Sequence, residues 1–378
     1  MRAGGTCLKY GGAAVAAASV AVLLVTGCAT VPARKSPPPA ARYFLYVSNS
    51  RDNAISAYSI DERTGFLTPV TGSPFGAGMG PAGLAADSSH RRLWAANPAA
   101  DRVSLFSIEP GSGSLAATGT AALPAGSDPQ EVTVSQATGL VFATSYGGSS
   151  VFGWEVSAGG TAVPLHGSPF PTGSNPAGVA ADSSGAHLFV VNNGSNDVSS
   201  YSVTGGAGAT ITRGRAAPAG NHPSGIAVDP GDRFAYVANN GSATVSSYLI
   251  AAGSGTLTPV PGPPAPAGSS PWGIAVDPTG SFVYVTNASS ATVSAYRVDT
   301  AGGSLHETNG SPFAVGASPR GIAVDPVGRH VYVACYGSDQ LFAFSIDAVT
   351  GALSPVDGSP FPTGRRPASV AAAAITGH

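Results

Sequence analysis

Five side chains stand out in this sequence because each breaks a pattern that its counterparts keep. A proline recurs at Pro81, Pro129, Pro176, Pro223, Pro271, Pro319 and Pro367, so the residues around it can be compared copy by copy. Just before it stand Gly80, Asp128, Asn175, His222, Ser270, Ser318 and Arg366. Just after it stand Ala82, Gln130, Ala177, Ser224, Trp272, Arg320 and Ala368; one further on, Gly or Ser is the rule except for Glu131. A carboxyl or an imidazole can activate water, and a guanidinium can stabilise an oxyanion, so Glu131, His222 and Arg320 form a candidate catalytic set. Trp272 and Arg366 add an indole face and a second cation, suited to binding a small sugar-like or anionic ligand. The competing reading is drift at solvent-facing loop positions.

These residues can meet only if the chain forms a ring. The prolines recur every 47 or 48 residues, and an aromatic follows each about a dozen residues on, at Tyr46, Trp94, Phe142, Phe189, Tyr236, Tyr284 and Tyr332. The chain opens on an aromatic and closes on a proline, so one unit is split between its two ends. An open solenoid gains nothing from that split, whereas a closed ring is sealed by it. Ser369 to Ala373 is therefore expected to pair beside Tyr43 to Ser48, which also protects two exposed edges.

The copy from Pro271 shows what one unit contains. Trp272 to Val276 is an apolar run, and Asp277-Pro278-Thr279-Gly280 has type I turn residues. Phe282 to Asn287 follows, then an alternating run from Thr292 to Val298 and a weaker strand from Leu305 towards Phe313. Four short strands per repeat of this length are the signature of an all-β propeller with seven antiparallel four-stranded blades. The aromatics at the second-strand position, and those at Tyr58, Phe106, Trp154, Tyr201, Tyr248, Tyr296 and Phe344, are expected to fill the space between sheets. The crossings that carry the proline lie on one face, around one mouth of the channel. The turns with Asp87, Asp182, Asp229, Asp277 and Asp325 lie on the other, as turn caps. Asn49, Asn97, Asn192, Asn239 and Asn287 end second strands, either as turn residues that adopt the left-handed conformation or as a ring of ligand-facing amides.

Composition narrows the function classes. Charged residues make up only 10% of 378 positions, the net charge is −2, and no lysine follows Lys35, so nucleic acid is not an expected partner. Gly (51) and Pro (32) recur on the fixed period between apolar alternations, which marks turns rather than disorder. Arg2 and Lys9 precede a short apolar stretch, Gly11 to Val25, that ends in Val25-Thr26-Gly27-Cys28. The last four resemble a bacterial lipobox, so residues 1–27 read as a lipoprotein signal peptide with Cys28 lipidated; an ordinary signal peptide is the alternative. Residues 28–42, with Pro37-Pro38-Pro39, read as an extended tether, and 43–376 as the propeller. The expected location is the bacterial cell envelope, on the membrane through Cys28, as a monomer. Cys335 alone remains for the mature domain, so no disulfide framework is expected. The seven histidines are scattered, and no nucleotide or nucleophile-elbow motif is present, so neither a metal nor a cofactor is expected.

The strings Tyr46-Val47-Ser48-Asn49, Tyr236-Val237-Ala238-Asn239 and Tyr284-Val285-Thr286-Asn287 carry a resemblance. With the Gly-Ile-Ala-Val-Asp-Pro and Gly-Ser-Pro-Phe elements, the region from about 43 to 376 resembles the seven-bladed lactonase-like propellers with Tyr-Val-Thr-Asn repeats. Their namesakes include a 6-phosphogluconolactonase. The resemblance implies Pro-Arg-His opening an inner strand and Asn-Glu closing the strand after it. Here Pro319-Arg320 is followed by Gly321, and the next strand ends in Cys335-Tyr336. In the copy from Pro223, His222 precedes the proline and Asn240 stands at the Glu position. The acid and base that the resemblance implies are thus out of register. Two main readings follow: a lipid-anchored envelope scaffold that binds a ligand or an envelope protein without turnover, or a hydrolase of sugar lactones. A weaker third is an envelope cofactor-binding propeller.

Overall fold

The computed structural model describes residues 41–376 apart from 158, 159 and 207. The segment expected to be a signal peptide, Cys28 and most of the expected tether lie outside them. Seven antiparallel sheets are arranged as blades, each four strands deep. The innermost strands are Leu84–Asp87, Val132–Val134, Pro176–Ala181, Pro223–Val228, Pro271–Val276, Pro319–Val324 and, from the end of the chain, Pro367–Ile375. That last strand pairs with Arg42–Asn49, from Arg42↔Ile375 at one end to Asn49↔Pro367 at the other. One blade is therefore built from both ends of the chain. Arg42 and Ile375 sit together on the far face, opposite the prolines.

The inner strands crowd one another, and glycine makes the crowding possible. A methyl group on Gly178 would come within 2.6 Å of the Ser224 carbonyl oxygen, and one on Gly225 within 2.5 Å of that of Trp272. A methyl on Gly273 would overlap the Arg320 carbonyl, and one on Gly321 would come within 2.7 Å of the Ser369 Cα. Hydroxyls tie the same neighbours together. Thr286 Oγ1 donates to the Arg320 carbonyl at 2.9 Å, and Ser48 Oγ to that of Ala82 at 2.6 Å.

Aromatic rings seal the blades against each other further out. Tyr46, Tyr236, Tyr284, Tyr332, Trp94, Phe142 and Phe189 are all buried. The hydroxyls of Tyr58, Tyr201, Tyr248 and Tyr296 each donate to a proline carbonyl in the preceding blade, at 2.6–2.7 Å. Each such ring contributes about 1.5–3 kcal/mol by burial, and its hydroxyl is not left unpaired. On the far face the aspartates cap turns as expected: Asp277 Oδ1 accepts from the Ser281 and Phe282 amides at 2.8 and 2.7 Å. Two of them also hold buried histidines, with Asp182–His187 and Asp325–His330 both at 2.7 Å.

The outermost strand differs from the expected single run. In the blade from Pro271 it is broken into Leu305–Glu307 and Phe313–Ala314, which both pair with Thr292–Val298. Between them Ser311 turns the chain, and its Oγ accepts the Ala295 amide at 3.0 Å. Ser73, Ser168 and Ser359 do the same for Ala57, Gly153 and Ala343. The serine of each Gly-Ser-Pro-Phe element thus satisfies a backbone donor that the interruption frees. The blade from Leu84 lacks this element, and its outer strand, Leu115–Ala122, is continuous.

Deleting Pro367 onward should abolish the cooperative thermal transition in circular dichroism, because the first blade would lose its inner strand. Gly273→Ala should lower stability by about 1–3 kcal/mol in urea, since the neighbouring backbone must shift to admit the methyl.

Candidate functional site

The channel between the inner strands holds a cavity of about 800 Å³, and Glu131, His222, Trp272 and Arg320 all line it. Local backbone geometry explains how they reach it. Pro271 pairs with Asn287, but the next pair is Ile274 with Val285, so an extra residue is bulged out behind the proline. The same irregularity follows Pro176, Pro223 and Pro319. Such bulges re-aim a side chain, here those of Trp272 and Arg320 at the mouth.

The residue before each proline is left-handed in all seven copies, from φ 47° at His222 to φ 62° at Gly80. That conformation is uncommon for residues other than Gly, Asn and Asp. It is held by side chains from the preceding blade: Asn196 Oδ1 accepts the His222 amide and Asp339 Oδ1 accepts that of Arg366, both at 2.7 Å. His222 is exposed at the rim. Arg366 is exposed as well and is not part of the cavity lining.

Glu131 occupies the register that glycine or serine fills in every other copy. Its space comes from Gly83 in the preceding blade, where any Cβ would overlap the carboxyl. Its amide is received by Thr144 Oγ1 at 3.1 Å. The carboxyl itself has only a long contact, 3.4 Å from Oε1 to its own neighbour's amide at Val132. Burial therefore pushes the carboxyl up to about 8, slightly opposed by that amide. Glu131 is thus mainly protonated at neutral pH and can donate a hydrogen bond or a proton into the channel.

Arg320 is half-buried, and its Cζ lies 4.8 Å from the Trp272 ring centroid and 3.7 Å from that of Tyr336. Burial lowers its affinity for a proton, the Tyr336 hydroxyl opposes that shift, and the charge of Arg366 adds to it.

The five strand-ending asparagines are neither left-handed nor ligand-facing. All five are fully buried. Each donates from Nδ2 across the blade to a serine hydroxyl seven residues on, as in Asn239 to Ser246 and Asn287 to Ser294, both at 2.9 Å. Their recurrence is structural, because this cross-link joins the second and third strands where they part. Cys335 takes the same place in its blade and is buried, its thiol pushed up to about 12 by burial.

The structure also brings in residues outside the candidate set. Gln130, Tyr146, Asn193 and Asn240 line the cavity, and Tyr336 stacks on Arg320. Tyr146, Asn193, Asn240 and Tyr336 each follow the end of a second strand. Comparing that position across the copies (Ser50, Pro98, Tyr146, Asn193, Asn240, Ala288, Tyr336) would have exposed them.

Fold and channel together define a propeller of the lactonase type. The family described as "Lactonase, 7-bladed beta-propeller" matches residues 40–127, 159–270 and 260–370, and the chain belongs to it. Among solved structures it is similar to a putative 6-phosphogluconolactonase from Bacteroides fragilis, at 19% identity and a TM-score of 0.77, covering 87% of this chain and 97% of that one. It is also similar to the periplasmic gluconolactonase PpgL of Pseudomonas aeruginosa, at 22% identity and a TM-score of 0.71, covering 88% and 99%. At such identities the likeness is one of fold. No curated protein matches the chain.

Since Glu131 ionises at about 4.5 once unfolded but only towards about 8 when folded, it favours the folded state fully below its unfolded pKa. That contribution is lost as pH rises towards about 8. Glu131→Gln should therefore gain on the order of 2 kcal/mol over the parent at pH 9 and little at pH 4, measured by urea denaturation.

Proposed function

We propose that this protein is a binding propeller of the cell envelope, whose channel mouth takes a small sugar-like or anionic molecule without turning it over. The observation that carries the reading is the shared cavity. Side chains that each break the repeat, contributed by four different blades, line one volume of about 800 Å³. That is within the size range of small-molecule sites. Trp272 offers a flat face for a sugar ring, Arg320 a cation, and the protonated Glu131 a donor for a hydroxyl or carbonyl. Attachment through a lipid on Cys28 would keep the domain at the membrane.

A second reading, hydrolysis of sugar lactones, is favoured by the state of Glu131. In that reaction water adds to the lactone carbonyl and the ring C–O bond breaks. Arg320 would stabilise the oxyanion, the Glu131 carboxyl would protonate the departing ring oxygen, and the proton lost by water would restore it. His222 at the rim is the other group able to take that proton. The displaced acid–base pattern weighs against this reading.

The two readings separate in one experiment on the purified full chain. Calorimetry with gluconolactone-type sugars and their acids should show saturable binding, weakened about tenfold or more by Arg320→Ala, with no acid release in a pH-stat. Lactone hydrolysis that disappears in both Arg320→Ala and Glu131→Gln would establish the second reading instead.

A further inference from the structure

Two guanidinium groups at the mouth share the ring of Tyr336, and among the described residues no carboxylate forms an ion pair with either. Arg320 Cζ lies 3.7 Å and Arg366 Cζ 5.5 Å from the centroid of the same Tyr336 ring. Among the described residues, the ion pairs involve Arg233, Arg329, Arg365 and three histidines, but neither Arg320 nor Arg366. The nearby acid, Asp339, spends a carboxylate oxygen on the backbone amide of Arg366. The charge of Arg366 is a minor contributor to the lowered proton affinity of Arg320, after burial. Two like charges are thus gathered on one ring, with no direct ion pair to either guanidinium among the described residues.

We propose that Tyr336 is the specificity-determining residue of this mouth: it holds Arg320 and Arg366 together as a two-guanidinium receptor for the carboxylate of a sugar acid. This rests on the binding reading above and names its ligand chemistry. Ring stacking occupies guanidinium faces and leaves the N–H edges, which form paired hydrogen bonds to a planar carboxylate. A carboxylate between the two arginines would relieve their repulsion. Trp272, 4.8 Å from the same Arg320 Cζ, would face the polyol chain that follows the acid group. A residue with its own negative charge at position 336 would supply an internal counter-ion and compete with the ligand. An aromatic ring orients the cations without neutralising them. Tyr336 acts here through the arginines, as a positioning residue.

The test uses the full chain with three probes: gluconate as the carboxylate, inorganic phosphate as a second oxyanion, and sorbitol as the neutral polyol. Gluconate is expected to bind at least about tenfold more tightly than sorbitol and to weaken as salt is raised. Tyr336→Phe should keep that preference, Tyr336→Glu should abolish it, and Arg366→Asn, whose new residue tolerates the left-handed backbone, should reduce it. Thermal melts of each variant separate lost binding from lost folding. If the parent chain binds none of the three probes, the binding reading itself fails. If it binds gluconate but Tyr336→Glu, still folded, prefers gluconate to sorbitol as before, the role given to Tyr336 is overturned. If phosphate displaces gluconate at equal concentration, the assignment to a carboxylate is overturned.

Discussion

The tightest constraint in this molecule is the approach of each inner strand to the next around the axis. Gly178, Gly225, Gly273 and Gly321 stand where a methyl group would meet the backbone of the following blade. That contact sets how wide the channel is, and the bulge beside it sets which side chains are turned into the mouth. Trp272 and Arg320 precede two of these glycines, so their positions follow from the packing around the axis. Glu131 is the exception that the ring tolerates. It stands in the glycine register, and the inner strand there begins only at Val132 and runs for three residues. The result is a partly buried carboxyl at the channel wall, whose pKa desolvation pushes up to about 8.

Much of the fold was legible because its determinants are local and repeated. The proline period, the Asp-led turns and the split first unit each have one plain physical reading, and the pairing of Tyr43 with Ala374 follows from the last of them. The broken outer strand was less legible, because Leu305 to Phe313 contains strand-compatible residues on either side of its Gly-Ser-Pro turn. In four blades a serine hydroxyl meets the amide that the break frees, but the blades from Pro176 and Pro223 are broken without that serine, and spacing alone does not reveal the break. The recurrent asparagines misled for a related reason. Asn at a strand end suggests a turn, yet here its side chain finds a serine seven residues ahead, brought opposite by the strand register.

The site was legible to the extent that the repeat supplied its own comparison. Looking around each proline picked out Glu131, His222, Trp272 and Arg320, which share the cavity, and Arg366, which stays outside its lining. Tyr336 was noticed in the sequence only as a departure at the Glu position, and its stacking on Arg320 depends on geometry that residue order does not carry. The left-handed backbone at His222 and Arg366 was also hidden, since a residue before proline ordinarily favours extended conformations. Side-chain acceptors at Asn196 and Asp339 reach over from the preceding blade to hold that conformation.

The way the first blade is shared has a directional consequence. Arg42 and Ile375 pair at the end of their strands remote from Pro367, so both routes into and out of the domain leave from the side away from the opening. Anything joined directly to Arg42 or to Ile375, whether a surface, a bead or a second protein, would start from the face behind the propeller. With such a direct junction, solutes would reach the pore from the front without having to pass the support.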